Sequence, residues 1–154
     1  MTTNGSRALH LIDIENLIGL ARPSFADVAA CYRAYRPLIR SHDLVVVACN
    51  HGAFGEVAWG WPDARRLVRS GDNGADEALL DVLRYERVDE RFDAVVVGSG
   101  DGIFTDAIAR LGGLGITVTV VHGRGALSGR LRMATRHILC LSPVPTVWRE
   151  AEPA

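Results

Sequence analysis

Ala94-Val95-Val96-Val97-Gly98-Ser99-Gly100-Asp101-Gly102-Ile103-Phe104-Thr105-Asp106 is the stretch that decides the fold of this chain. Its first four residues are apolar and mostly β-branched, the composition of a parallel strand covered on both faces. Gly98, Gly100 and Gly102 permit a sharp turn and a close approach of backbone to a ligand. Ser99 and Asp101 then fall beyond the carboxyl end of the strand, where open α/β sheets place their sites. Asp101 is also suited to cap the helix that follows. A second strand ending in an acid lies near the beginning of the chain, at Ala8-Leu9-His10-Leu11-Ile12-Asp13.

Outward from these two strands, the pattern alternates. Leu44 to Cys49, Arg65 to Arg69, Ile116 to Val121 and His137 to Leu141 read as further strands. Helices are predicted from about Phe25 to Ile39, with Ser24 as N-cap, and from about Ala75 to Val88. A third runs from the Asp101 turn to about Leu111, where Gly112-Gly113 breaks it, and shorter turns fall in 53–61 and 124–136. Alternation of this kind calls for a three-layer α/β/α, Rossmann-like domain with a mainly parallel sheet. It fills residues 7–142, with loose tails at 1–6 and 143–154. The chain of 154 residues is 48% hydrophobic, enough for one packed core.

The formal net charge of −1 gives no overall pull towards nucleic acid or membrane, but its distribution is uneven. There is no Lys, and no acid occurs between Asp106 and Glu150, an interval that carries Arg110, Arg124, Arg130, Arg132, Arg136 and Arg149. Acids upstream and Arg downstream suit a metal site beside an anion-binding surface. The absence of Lys excludes a Walker A phosphate loop. No apolar run approaches the ~20 residues needed to span a bilayer. Cys31, Cys49 and Cys140 form no CxxC pair. Cys49 and Cys140, in apolar strands, read as small buried hydrophobes. An odd number of cysteines fits a reducing, cytoplasmic setting.

The chemistry lies in the acids. Asp13 ends one strand and Asp101 follows another, and a doubly wound sheet allows the two to be neighbours with their carboxyl ends at a shared crevice. Asp76, in Gly71-Asp72-Asn73-Gly74-Ala75-Asp76, falls in the first turn of a helix if Asn73 caps it. Asp106 opens another helix. Carboxylates brought together repel unless protonated or bridged by a cation. An all-oxygen set, without Cys or His at ligand spacing, favours Mg²⁺ or Mn²⁺ over Zn²⁺. Such ions hold phosphate oxygens and activate water. Asn50, His51 and His122 follow strands and are weaker candidates, as are Trp59 and Trp61 for base stacking.

Three of these segments match a family. Asp13-Ile14-Glu15-Asn16 resembles the opening Asp-x-x-Asn motif of NYN domains, in the PIN-like nuclease superfamily. Gly71 to Asp76 resembles the middle motif, and Ser99-Gly100-Asp101-Gly102-Ile103-Phe104 is similar to Ser-Gly-Asp-x-Asp-Phe. The resemblance runs from about Leu9 to Leu141 and implies a Rossmann-like sheet, an acidic metal site and cleavage of RNA. It makes Asp13, Asn16, Asp76 and Asp101 the candidate catalytic residues. Asp13, Asp76, Asp101 and Asp106 would hold Mg²⁺ or Mn²⁺. Ser99, Arg124, Arg130, Arg132 and Arg136 would bind RNA. Ile103 stands where many members carry a second acid, and Asp106, one turn on, is expected to replace it.

The expected function is a metal-dependent endoribonuclease that hydrolyses phosphodiester bonds through metal-activated water. Two alternatives stay open: a catalytically weak NYN domain that binds RNA or a protein, and a Rossmann-like phosphohydrolase or phosphotransferase acting on a small molecule. RNA is the expected partner, a membrane is not, and association with a second copy of the chain is left open.

Overall fold

The computed structural model of the protein describes residues 6–124 and 126–141. Apart from Ser6, the tails expected at 1–6 and 143–154 lie outside the described residues. In chain order the elements are β1 (Ala8–Asp13), α1 (Ile14–Ile18), α2 (Phe25–Tyr35), β2 (Leu44–Cys49), α3 (Phe54–Gly60), β3 (Arg65–Val68), α4 (Gly74–Tyr85) and α5 (Val88–Arg91). There follow β4 (Ala94–Gly98), α6 (Thr105–Gly113), β5 (Thr117–His122), α7 (Gly129–Ala134) and β6 (His137–Cys140). Short 3₁₀ turns at Arg36–Leu38, His51–Ala53 and Gly102–Phe104 join them.

The six strands form one all-parallel sheet in the order β3-β2-β1-β4-β5-β6. The two strands picked out by their terminal acids are therefore neighbours, and the winding direction reverses between them. In a doubly wound sheet this switch point opens a crevice at the carboxyl edge. Ile12 stands opposite Gly98 across it, so Asp13 is one residue past that pair.

Strand alternation sends successive side chains into two separate cores. Leu9, Leu11, Val95, Val97, Val118 and Val120 pack beneath α4, α6 and α7, with Leu79, Leu83, Phe104, Ile108 and Leu131. Ile12, Val45, Val47 and Cys49 face the other way, against α1, α2 and α3, with Ile14, Leu17, Val28, Tyr35 and Trp61. This is the expected three-layer architecture.

Some local expectations are corrected. The helix predicted to Ile39 ends at Tyr35 and tightens into a 3₁₀ turn, because Pro37 has no N–H to donate. The helix predicted to Val88 stops at Tyr85, and a separate short helix starts at Val88 after Arg87 adopts a left-handed φ of 51°. Asn73 is left-handed as well, at φ 68°, and its side chain makes no cap bond. Trp61 belongs to the second core at 1% exposure and cannot stack on a base, whereas Trp59 is 81% exposed. Cys31 and Cys49 are buried, but Cys140 is exposed because β6 is an edge strand. No helix among the described residues is long and apolar enough to cross a membrane.

Candidate active site at the switch point

Asp13 and Asp101 owe their positions to the same local device. Asp13 caps α1, accepting from the Asn16 N–H, and Asp101 caps the 3₁₀ turn after β4, accepting from the Ile103 N–H at 3.0 Å. Capping occupies only part of each carboxylate, so cap and site are compatible. Asp76 comes from the first turn of α4, whose apolar face is buried under the sheet. Gly74 makes this approach possible: a Cβ there would lie 2.3 Å from the Arg69 carbonyl oxygen.

The three acids meet. Asp13 and Asp76 are buried, at 4% and 6% exposure, and their carboxyls are within hydrogen-bonding reach of each other. Asp101 lies within similar reach of Asp76. Burial first, then the bond to Asp76 and its charge, pushes Asp13 up from 3.8 to about 9. Asp76 is raised too, chiefly by burial. The Asp13 bond works against that rise and the Asp101 charge adds to it. Burial and nearby negative charge thus shift both carboxyls of the pair towards the protonated form.

A cleft of about 370 Å³ opens over Asp13 and Asp76, lined also by Glu15, Asn16, Asn50 and Asn73 among others. Glu15 is the acid that the sequence reading missed. Burial raises its carboxyl above the ordinary range, with the Asp76 charge adding and the Asn50 N–H opposing. Asp76 Oδ1 and Glu15 Oε2 are both buried without a hydrogen-bond partner. The only signal for Glu15 was its place two residues after a strand-ending acid, which does not reveal where its side chain points.

Asn16 has a positioning role. Its Oδ1 accepts from the Gly100 N–H at 2.9 Å, tying α1 to the turn after β4. Ser99 is fully buried, and its hydroxyl accepts from the Asp101 N–H at 3.2 Å. The expected contact of Ser99 with RNA is therefore corrected: it shapes the turn instead. Asp106 is not in the cleft. Its side chain is 96% exposed and lies 3.8 Å from Arg130. Phe104 and Ile108 point into the core and set the phase of α6, which turns Asp106 outward. Ile103 packs against the first core.

The arginines do not form one patch at the cleft. Arg124, Arg130, Arg132 and Arg136 are all exposed. Arg124 lies two residues past the carboxyl end of β5, and Arg130, at the start of α7, approaches Asp106. Arg136 precedes β6, whose first residue is level with Thr119 in the middle of β5, so it sits away from the crevice. His51 is bonded to the Ser70 hydroxyl, and His122 donates to the Gly123 carbonyl.

The carboxylates are gathered in pairs. Among the described residues no three His, Cys, Asp or Glu side chains already form a group able to hold a metal ion. What fits a hard cation is the donor chemistry, all oxygen, with one buried carboxylate oxygen each on Asp76 and Glu15 left unpartnered.

No family model matches the chain, and no curated protein is significantly similar to it. A solved structure of a protein of unknown function from Vibrio parahaemolyticus is similar over 93% of this chain and 97% of that chain, with a TM-score of 0.60 at 15% identity. That likeness bears on the fold alone, and agrees with a Rossmann-like α/β domain.

Proposed function

We propose that the protein is a divalent-cation-dependent endoribonuclease of the NYN type. The observation that carries this reading is the meeting of Asp13, Asp76 and Asp101 at the switch point, with Asp76 Oδ1 buried and unpartnered. Asp13 and Asp101 would hold Mg²⁺ or Mn²⁺ through oxygens that their capping bonds leave over, and Asp76 through its unpartnered Oδ1. When bound, such an ion supplies Lewis acidity and a water of lowered pKa, the chemistry of phosphodiester hydrolysis. Asn16 and Ser99 keep the Asp101 turn against the β1 acids. Arg124 and Arg130 place positive charge near that edge for a phosphate backbone, and Arg132 extends it. The three motifs shared with NYN domains favour RNA as substrate.

The test is incubation of end-labelled single-stranded RNA with the protein and Mn²⁺ or Mg²⁺. Cleavage that stops with a chelator, and in both Asp76→Asn and Asp101→Asn, is the expected result. Cleavage that persists in those variants overturns the proposal. One observation favours the second reading, an RNA-binding domain without cleavage: Ile103 packs inward and Asp106 faces solvent, so neither extends the acid set. In that case RNA binds with a marked salt dependence but is not cut.

A further inference from the structure

We infer that Glu15 is a further cation ligand of the cleft, in the place that the sequence had given to Asp106. The inference rests on the metal-site reading above and deepens it. Glu15 follows the capping Asp13 by two residues on α1 and lines the same cleft as Asp13 and Asp76. Its two oxygens are treated differently. Oε1 accepts from the Asn50 N–H at 2.8 Å, a bond that joins α1 to the end of β2. Asn50 is itself fixed, because its side chain accepts from the Gly52 N–H at 2.9 Å to cap the 3₁₀ turn. The carboxylate is therefore held in one orientation by backbone.

Oε2 is left buried with no partner. A carboxylate oxygen withdrawn from water and given nothing in return is unfavourable, and such atoms call for an ion or a donor. A second orphaned oxygen lies in the same cleft, Asp76 Oδ1, on a side chain only 6% exposed. Two unpartnered oxygens on acids that line the same cleft as Asp13 are the donor type that a hard cation takes. Asp106, with a side chain 96% exposed and next to Arg130, offers none of this.

Calorimetric titration of Mn²⁺ into the full chain tests the assignment without any need for RNA. Glu15→Gln preserves an oxygen for the Asn50 N–H and nearly the same volume. It should weaken Mn²⁺ binding by ~10-fold or more, at least the loss that outer partners of metal ligands produce. Asp106→Asn should leave the affinity within about twofold, since nothing links its carboxylate to the other oxygens. If Glu15→Gln does not fold, Glu15→Asp decides, since it keeps the charge but shortens the reach and should also bind Mn²⁺ more weakly. Wild-type binding matched by the folded Glu15 variants overturns the role of Glu15 and leaves the metal site standing. Failure of the wild-type protein to bind Mn²⁺ overturns both.

Discussion

Gly100 donates its N–H to Asn16 Oδ1 at 2.9 Å, across 84 residues of sequence. The bond spans the crevice between the ends of β1 and β4. From the other side the Ser128 N–H donates to the Gly100 carbonyl at 2.9 Å. The turn that carries Asp101 is thus clamped between α1 and the segment before α7. It leaves no room for a side chain: a Cβ on Gly100 would lie 2.8 Å from the Ala126 carbonyl oxygen.

Asn16→Ala removes the acceptor and leaves the N–H of buried Gly100 unpaired. The expected cost is about 1 kcal/mol, a fall in Tm of about 2–4 °C for a chain of this size. RNA cleavage should fall as well, because Asp101 loses its anchor. Asn16→Asp keeps an acceptor and should melt closer to wild type. Thermal melts followed by circular dichroism check this, and an unchanged Tm in Asn16→Ala would show that the clamp contributes nothing.

The buried acid pair makes stability depend on pH. With Asp13 raised from 3.8 to about 9, the folded chain holds a proton that the unfolded chain has released across that window. The contribution of this group to stability therefore falls as pH rises from about 3.8 to about 9, and levels off above. Asp13→Asn removes the titration. It should flatten that slope and raise stability at pH 7 by about 0.5–2 kcal/mol. On the proposed function Mn²⁺ should raise the Tm of the wild-type protein, and the same variant should lose that rise. Urea unfolding at several pH values, with and without Mn²⁺, measures both effects.

How far the sequence reached depended on what sets each side chain's direction. Apolar runs followed by acids were enough to put Asp13 and Asp101 at one edge, since parallel strand ends in a doubly wound sheet share it, whereas the adjacency of β1 and β4 is seen only in the sheet order. The helix after Gly74 was periodic enough to put Asp76 at its start. Beyond the turns the reading failed. The 3₁₀ turn at Gly102–Phe104 sets the phase of α6, and no local pattern reveals that it buries Phe104 and Ile108 and turns Asp106 outward. Ser99 resembled an exposed turn residue, yet it is fully buried beneath the clamp. Glu15 was hidden because its direction depends on a backbone donor from β2, 35 residues away.

A second pH effect comes from the opposite face of β1. His10 is 1% exposed, with Nδ1 2.6 Å from the Tyr35 hydroxyl and Nε2 3.0 Å from Asp43 Oδ2. Burial holds it below its ordinary 6.5, with Arg40 adding slightly and Asp43 opposing. As pH falls through about 6.5 the unfolded chain takes up a proton that the folded chain refuses, so stability is full above that pH and declines below it. Asp43 works lower. Against the effect of burial, the N–H of Arg40, the His10 ring and the N–H of Ala8 keep it below 3.8, so its share is lost as pH falls further. His10→Asn should be less stable at pH 7 but flatter as pH falls below ~6.5. A variant with the wild-type slope there would remove His10 as the cause.

Ile103→Asp and Asp106→Asn separate the family pattern from this chain's own geometry. Ile103 packs against the first core, and its N–H is held by Asp101 Oδ1 at 3.0 Å. A carboxylate at 103 enters apolar contacts rather than the cleft, at a cost of about 1–3 kcal/mol. It should not raise cleavage, although it restores the family's second acid. Asp106→Asn changes a group that faces water beside Arg130, so folding, Mn²⁺ affinity and cleavage should all stay at wild-type levels. Urea unfolding with the RNA cleavage assay reads both variants. Higher cleavage in Ile103→Asp, or lost cleavage in Asp106→Asn, would show that the turn after β4 rearranges when RNA binds and brings this helix into the site.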